Sequence, residues 1–165
     1  MKIRFLPFLA LLGLAACAKY TAEPAPLAFL LAPSGNAVSA SAGTPGIVLN
    51  ESGSDTNVFE GSGYDFYSIK LASAPSANVT VSLAFDGSQI KLNDSTTSPL
   101  SLAFTPSNYN TAQTLIVRAV DDSLVEGNHT STISHTAASA DSSYNGLSGS
   151  NVSVSIVDND AYIAA

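Results

Sequence analysis

From Gly46 onward, apolar and polar residues alternate with a period of two, and turn residues interrupt the alternation roughly every 10–20 residues. VTVSLAF (79–85) is the strictest case. Val79, Val81, Leu83 and Phe85 project to one side and Thr80, Ser82 and Ala84 to the other, as a half-buried strand requires. FYSIKL (66–71) puts Tyr67, Ile69 and Leu71 on one face, and TLIVRAV (114–120) puts Leu115, Val117 and Ala119 opposite Arg118. NVSVSIVD (151–158) turns Val152, Val154 and Ile156 inward. IVLNE (47–51), QIKL (89–92), LSLAF (100–104) and HTSTISHTA (129–137) complete a set of seven or eight short strands. Nothing in this region carries the 3.6-residue period of a long amphipathic helix. The pattern predicts an all-β chain folded as an immunoglobulin-like antiparallel β-sandwich of about seven strands. The cysteine pair and tryptophan of antibody-type domains are absent.

The N-terminal pattern differs. Behind Lys2 and Arg4, FLPFLALLGLAA (5–16) is uncharged and apolar, too short for a permanent membrane span and built like a secretory signal. It runs into LAAC (14–17), which resembles the lipobox of bacterial lipoproteins. That resemblance implies removal of residues 1–16, lipidation of Cys17 and acylation of the new amino terminus. Several acyl chains on one residue anchor a protein stably where a single chain does not. Ala18 stands where an aspartate would retain the protein in the inner membrane, which implies an outer-membrane lipoprotein. The small residues before Cys17 also suit ordinary signal peptidase, so a plain secretory signal is the competing reading. Residues 17–45 are rich in Ala, Pro and Ser and read as a tether, 46–160 as the folded domain and 161–165 as a tail.

Charge narrows the class of partner. The net charge of −7 deepens to −9 once Lys2 and Arg4 leave with residues 1–16. The remaining Lys19, Lys70, Lys91 and Arg118 form no basic cluster, so nucleic acid is not a partner that this chain fits. With one cysteine, no disulfide can form within the chain, and stability rests on packing and on any bound ion.

Two acidic stretches carry the candidate chemistry. AVDDSLVEGNH (119–129) ends a strand in two adjacent aspartates with Glu126 close behind, and DND closes the domain at 158–160. Together with VFEGSG (58–63) and FTPSNYNTAQT (104–114), they make residues 46–160 resemble the Calx-beta domain, in its bacterial extracellular variety. The resemblance implies a seven-stranded sandwich with calcium held by carboxylates at one end. Carried over residue by residue, it assigns Glu60, Asp121, Asp122, Glu126, Asp158 and Asp160 as carboxylate ligands and Leu124 as a carbonyl ligand. Asp94 is the best match for the family's middle-loop aspartate, and Asp86 the second. Ser123 replaces an aspartate of the central run and Asn159 one of the terminal run, which implies weaker calcium binding. The competing reading is that DDSLVEGN and DND are polar turns, since Asp, Asn, Ser and Gly favour turns for local reasons.

His129 and His135 share a strand face but lack a third zinc ligand, so they read as polar strand residues. Tyr64, Tyr67, Tyr109 and Tyr144 fit either a carbohydrate-binding face or packing at the sandwich rim. The chain has no G-x-S-x-G elbow and no H-E-x-x-H, and its acids give no paired arrangement for glycoside hydrolysis, so it is read as not an enzyme. Two functions compete: a lipid-anchored binding or adhesion module stabilised by calcium, with a protein or carbohydrate ligand, and a structural envelope spacer that holds neither metal nor ligand.

Overall fold

In the computed structural model, residues 43–161 are described; Cys17, the signal and most of the tether lie outside that range. The strands are β1 (Ile47–Glu51), β2 (Thr56–Phe59), β3 (Asp65–Leu71), β4 (Val79–Ala84), β5 (Ile90–Leu92), β6 (Leu100–Phe104), β7 (Gln113–Ala119), β8 (His129–Ser139) and β9 (Val152–Val157). They form a two-sheet sandwich with strand orders β1-β3-β7-β5 and β2-β9-β8-β4-β6. The alternation in the sequence is the alternation in space. Val79, Val81 and Leu83 are fully buried, as are Tyr67, Ile69, Leu115, Val117 and Val154. Phe66, Thr80 and Arg118 face outward, and Phe85 and Ala119 close the rim. Each such aliphatic side chain removed from water contributes about 1.5–3 kcal/mol.

Two features depart from the sequence expectation. Against the seven or eight strands expected there are nine; β2 lies in a segment to which the sequence pattern assigns no element. β2 also runs parallel to β9, so the sandwich is mixed where an antiparallel one was expected. The cause is a break between β1 and β2. Ser52, Gly53 and Ser54 make one tight turn, with positive φ at Gly53 and Ser54, and it carries the chain from one sheet to the other. Asp65 fastens this crossover, accepting hydrogen bonds from the Ser52 hydroxyl, from Asn57 N at 2.8 Å and from Phe66 N at 2.7 Å. Burial works against its charged form, but these donors outweigh it and hold the carboxyl below the usual range.

Between the sheets, His135 of β8 is buried against Tyr67 of β3, with ring centroids 5.7 Å apart and edge-on. Its Nδ1 lies 2.8 Å from the Ser150 carbonyl, which can only accept, so Nδ1 carries the proton. Nε2 therefore accepts from the Tyr67 hydroxyl at 3.1 Å. Burial lowers the His135 pKa and keeps the ring neutral. The two histidines are thus polar strand residues, one of them in the core.

Candidate metal centre

The parallel register of β2 and β9 builds the site. Val58 pairs with Ile156 and Phe59 with Val157, so both strands leave the sheet at the same end. Glu60 N donates to Val157 O at 3.1 Å, which sets Glu60 beside the terminal DND run. Had the two strands run antiparallel, Glu60 and Asp158 would have left at opposite ends. One carboxylate oxygen from each of Glu60, Asp158 and Asp160 falls within 4.8 Å of the others. Asp121 and Asp122 arrive at the same end from β7, and Glu126 stands just before β8.

The electrostatics of this group are unbalanced. Glu60 is only 4% exposed, yet its Oε2 has no hydrogen-bond partner, and neither has the buried Oδ2 of Asp160. Burial raises the Glu60 pKa, and the charges of Asp158, Asp122, Asp160 and Glu126 raise it further. Asp160 is likewise raised by burial, then by Asp158, Asp122 and Asp121. Among the described residues the close contacts between basic and acidic side chains are Arg118–Asp94 and, at 3.7 Å, the His129 ring with Glu126, so no basic side chain pairs with Glu60 or Asp160. An unpartnered, buried carboxylate surrounded by other carboxylates is costly unless a cation joins it.

Asp158 has a different task. Its Oδ2 accepts from Glu126 N at 2.7 Å and Gly127 N at 2.6 Å, and its Oδ1 accepts from Asp160 N at 2.7 Å. These backbone donors, led by that of Asp160, lower its pKa. Asp158 therefore docks the 120–128 loop onto the terminal run, and its oxygens keep further lone pairs beyond these bonds. The donor set is oxygen throughout, which suits a hard cation such as calcium. On the unpartnered oxygens and the donor chemistry, the residues fit the ion that the sequence resemblance implies.

The other candidates are distributed around this centre. Asp122 Oδ1 accepts from Leu124 N at 2.7 Å in a local turn, while the Leu124 side chain is exposed. Asp121 Oδ1 accepts from the Asn159 amide at 3.1 Å. Glu126 accepts from Gln89 Nε2 at 3.1 Å, and Gln89 in turn contacts the His129 ring. Neither middle-loop candidate joins the centre. Asp94 is held by Arg118 Nε at 3.1 Å. Asp86 caps its own turn through Ser88 N at 2.9 Å and Ser88 Oγ at 2.7 Å, which lowers its pKa.

Sequence reasoning missed Gly61. Its φ of 69° is left-handed, and a Cβ there would lie 2.7 Å from Asn159 Nδ2 and 3.3 Å from Asp121 Oδ1. The left-handed φ favours glycine there, and a side chain would displace the Asp121–Asn159 pair over which the turn closes. The EGSG spacing was the available signal. Asn159, read as a weakened ligand, ties the β7 loop to the terminal run through its Nδ2.

No protein-family model matches this chain, and no curated protein matches it. Among solved structures, it is similar to the crystal structure of an apo-form Calx CBD1 domain, at 16% identity and a TM-score of 0.48. The match covers 69% of this chain and 98% of that one.

Proposed function

We propose that this chain is a non-catalytic, lipid-anchored envelope module whose acidic end takes up calcium. The observation that carries the cation is the pair of buried, unpartnered oxygens, Glu60 Oε2 and Asp160 Oδ2, on two carboxylates that cluster with Asp158. Glu60, Asp158 and Asp160 would hold the ion, with Asp121, Asp122 and Glu126 adding negative potential around it. Bound calcium supplies positive charge that relieves the repulsion among these carboxylates. The chain's own contribution is positional: the parallel register brings Glu60 to the terminal run, and Asp158 fixes the loop by accepting from Glu126 N and Gly127 N. The LAAC sequence at 14–17 supports anchoring through Cys17 and an outer-membrane location, with the sandwich displayed as a binding or adhesion module on a tether.

Thermal unfolding of the full chain with calcium and with chelator tests the cation. Binding to the native state alone, at about 100 times the dissociation constant, adds about 2.7 kcal/mol of stability. Magnesium gives much less, because it demands a tighter octahedral shell and dehydrates reluctantly. A flat calcium titration up to about 10 mM, beyond the range of weak extracellular sites, overturns the metal reading. Anchoring is tested separately: Cys17→Ser abolishes incorporation of labelled palmitate and releases the protein from the membrane fraction.

A further inference from the structure

Beside the acidic centre lies a cleft of about 340 Å³, lined by Phe59, the Gly61–Gly63 turn, Arg118, Ala119 and Asp121. Its size falls at the lower end of small-molecule sites, about 300–1,000 Å³. We propose that it binds a neutral saccharide. This rests on the reading of the domain as a binding module, though not on the presence of the cation.

The walls select that ligand by elimination. An anion is disfavoured because Asp121 lines the cleft and Glu60, Asp158 and Asp160 stand close by. An organic cation filling the cleft would meet the Arg118 guanidinium in the wall, so a small cation is better served by the acidic centre beside it. A wholly apolar ligand would strip water from Asp121, from Arg118 and from the turn backbone without replacing their hydrogen bonds. A sugar ring satisfies all three walls, since it has apolar C–H faces and hydroxyls that both donate and accept.

The aromatic surface for those C–H faces is present. Phe59 lines the cleft and is 52% exposed, and Tyr64, 58% exposed, follows the lining residue Gly63 in the chain. Tyr64 stacks one face on Arg118, whose Cζ lies 4.9 Å from the ring centroid, and this fixes the ring's orientation. Arg118 spends Nε on Asp94 and one Nη1 hydrogen on the Gly63 carbonyl, the latter at 3.0 Å. Three of its five N–H donors remain for hydroxyl oxygens. The Asp121 carboxylate accepts from hydroxyl hydrogens. Gly63, with positive φ and open space where a Cβ would sit, leaves the turn backbone bare to an incoming ring.

Saturation-transfer-difference NMR on the full chain tests the proposal, with cellotriose as the neutral probe and trigalacturonate as its anionic counterpart. Cellotriose receives saturation on its C–H protons, and trigalacturonate receives clearly less. Phe59→Ser and Tyr64→Ser alter exposed rings, so both variants keep the wild-type circular dichroism. Each weakens transfer, with loss of one stacking ring reducing affinity about tenfold. Absence of transfer to cellotriose at about 10 mM, or equal transfer in both variants, overturns the saccharide site. Equal or stronger transfer to trigalacturonate overturns its neutral character. Calcium-dependent melting without sugar transfer defeats this proposal alone, whereas sugar transfer without any calcium response defeats the cation reading alone.

Discussion

The two ends of the sandwich both place carboxylates at strand termini, and they use them in opposite ways. At the end away from β2, the Asp141 carboxylate accepts from Ser76 N at 2.7 Å and Ser143 N at 2.9 Å, and its carbonyl accepts from Tyr144 N and Asn145 N. Tyr144 reaches across to the loop after β3, where its hydroxyl donates to Ser73 O at 2.7 Å and accepts from Ser73 N at 3.2 Å. Its ring is 1% exposed. Every named polar group there has a partner within the chain. At the Glu60 end, Asp158 is satisfied in the same way, but Glu60 and Asp160 beside it each carry a buried oxygen that has none. An aspartate ringed by N–H groups is a turn device; carboxylates facing one another are half of a site. The polar-turn reading therefore describes Asp158, while Glu60 and Asp160 are the residues on which the proposed cation depends.

The largest effects expected lie at the satisfied end. Tyr144→Ala removes a fully buried ring together with its hydroxyl bonds to Ser73, and costs about 3–5 kcal/mol, with or without calcium. Tyr144→Phe keeps the ring and strands the Ser73 partners, for a loss of about 1–3 kcal/mol in denaturant unfolding. A calcium-dependent change in either cost would mean that the two ends are not independent, since sites this separate should add.

At the Glu60 end the sign reverses. Glu60→Gln in chelator leaves the domain as stable as wild type or more stable, because a buried repelling charge is gone. In calcium the same change makes the variant the less stable of the two. Asp94→Asn, which disturbs only the half-exposed pair with Arg118, shifts melting slightly and leaves the calcium increment unchanged. If Asp94→Asn abolished the increment and Glu60→Gln did not, the middle-loop aspartate would be the ligand and the centre would be misplaced.

This contrast shows what the sequence could convey. Strand facing was legible at 66–71, 79–85, 114–120 and 151–158 because a period of two is a local property that burial on one side enforces. β2 was not legible. TNVF is four residues long and sits between SGSD and EGSG, and its place is decided by pairing with β9, a strand distant in the chain. Because that parallel pairing creates the centre, the residues Glu60, Asp158 and Asp160 could be nominated by resemblance, but their meeting could not be derived from spacing. The surroundings of Asp94 were hidden for the same reason: its partner, Arg118, is supplied by β7 and not by anything local. Tyr67 and Tyr144 proved to be buried packing residues, while Tyr64 alone of the candidate tyrosines stands mostly in water.

The smallest effect, and the most discriminating, is the response to pH. Hydrogen bonds from Ser76 and Ser143 lower the Asp141 pKa from its ordinary 3.8, so its stabilisation is present above that value and lost as pH falls through the lower folded one. Glu60 is raised from 4.5, so the folded state is favoured below that value and the advantage is lost as pH rises through the higher folded one. His135, lowered from 6.5 by burial, costs stability as pH falls below that point and would obscure Glu60 in a single melting curve. Difference curves remove it, because both variants retain His135. In chelator, wild type minus Glu60→Gln is negative or near zero at neutral pH and climbs as pH falls toward 4.5. Wild type minus Asp141→Asn is positive at neutral pH and shrinks only below about 3.8, the ordinary aspartate value. Calcium should turn the first curve over, since protons and the cation then compete for the same oxygens, and leave the second where it was. Two curves with the same slope in chelator would show that Glu60 is an ordinary satisfied carboxylate, and the difference between the ends would vanish with it.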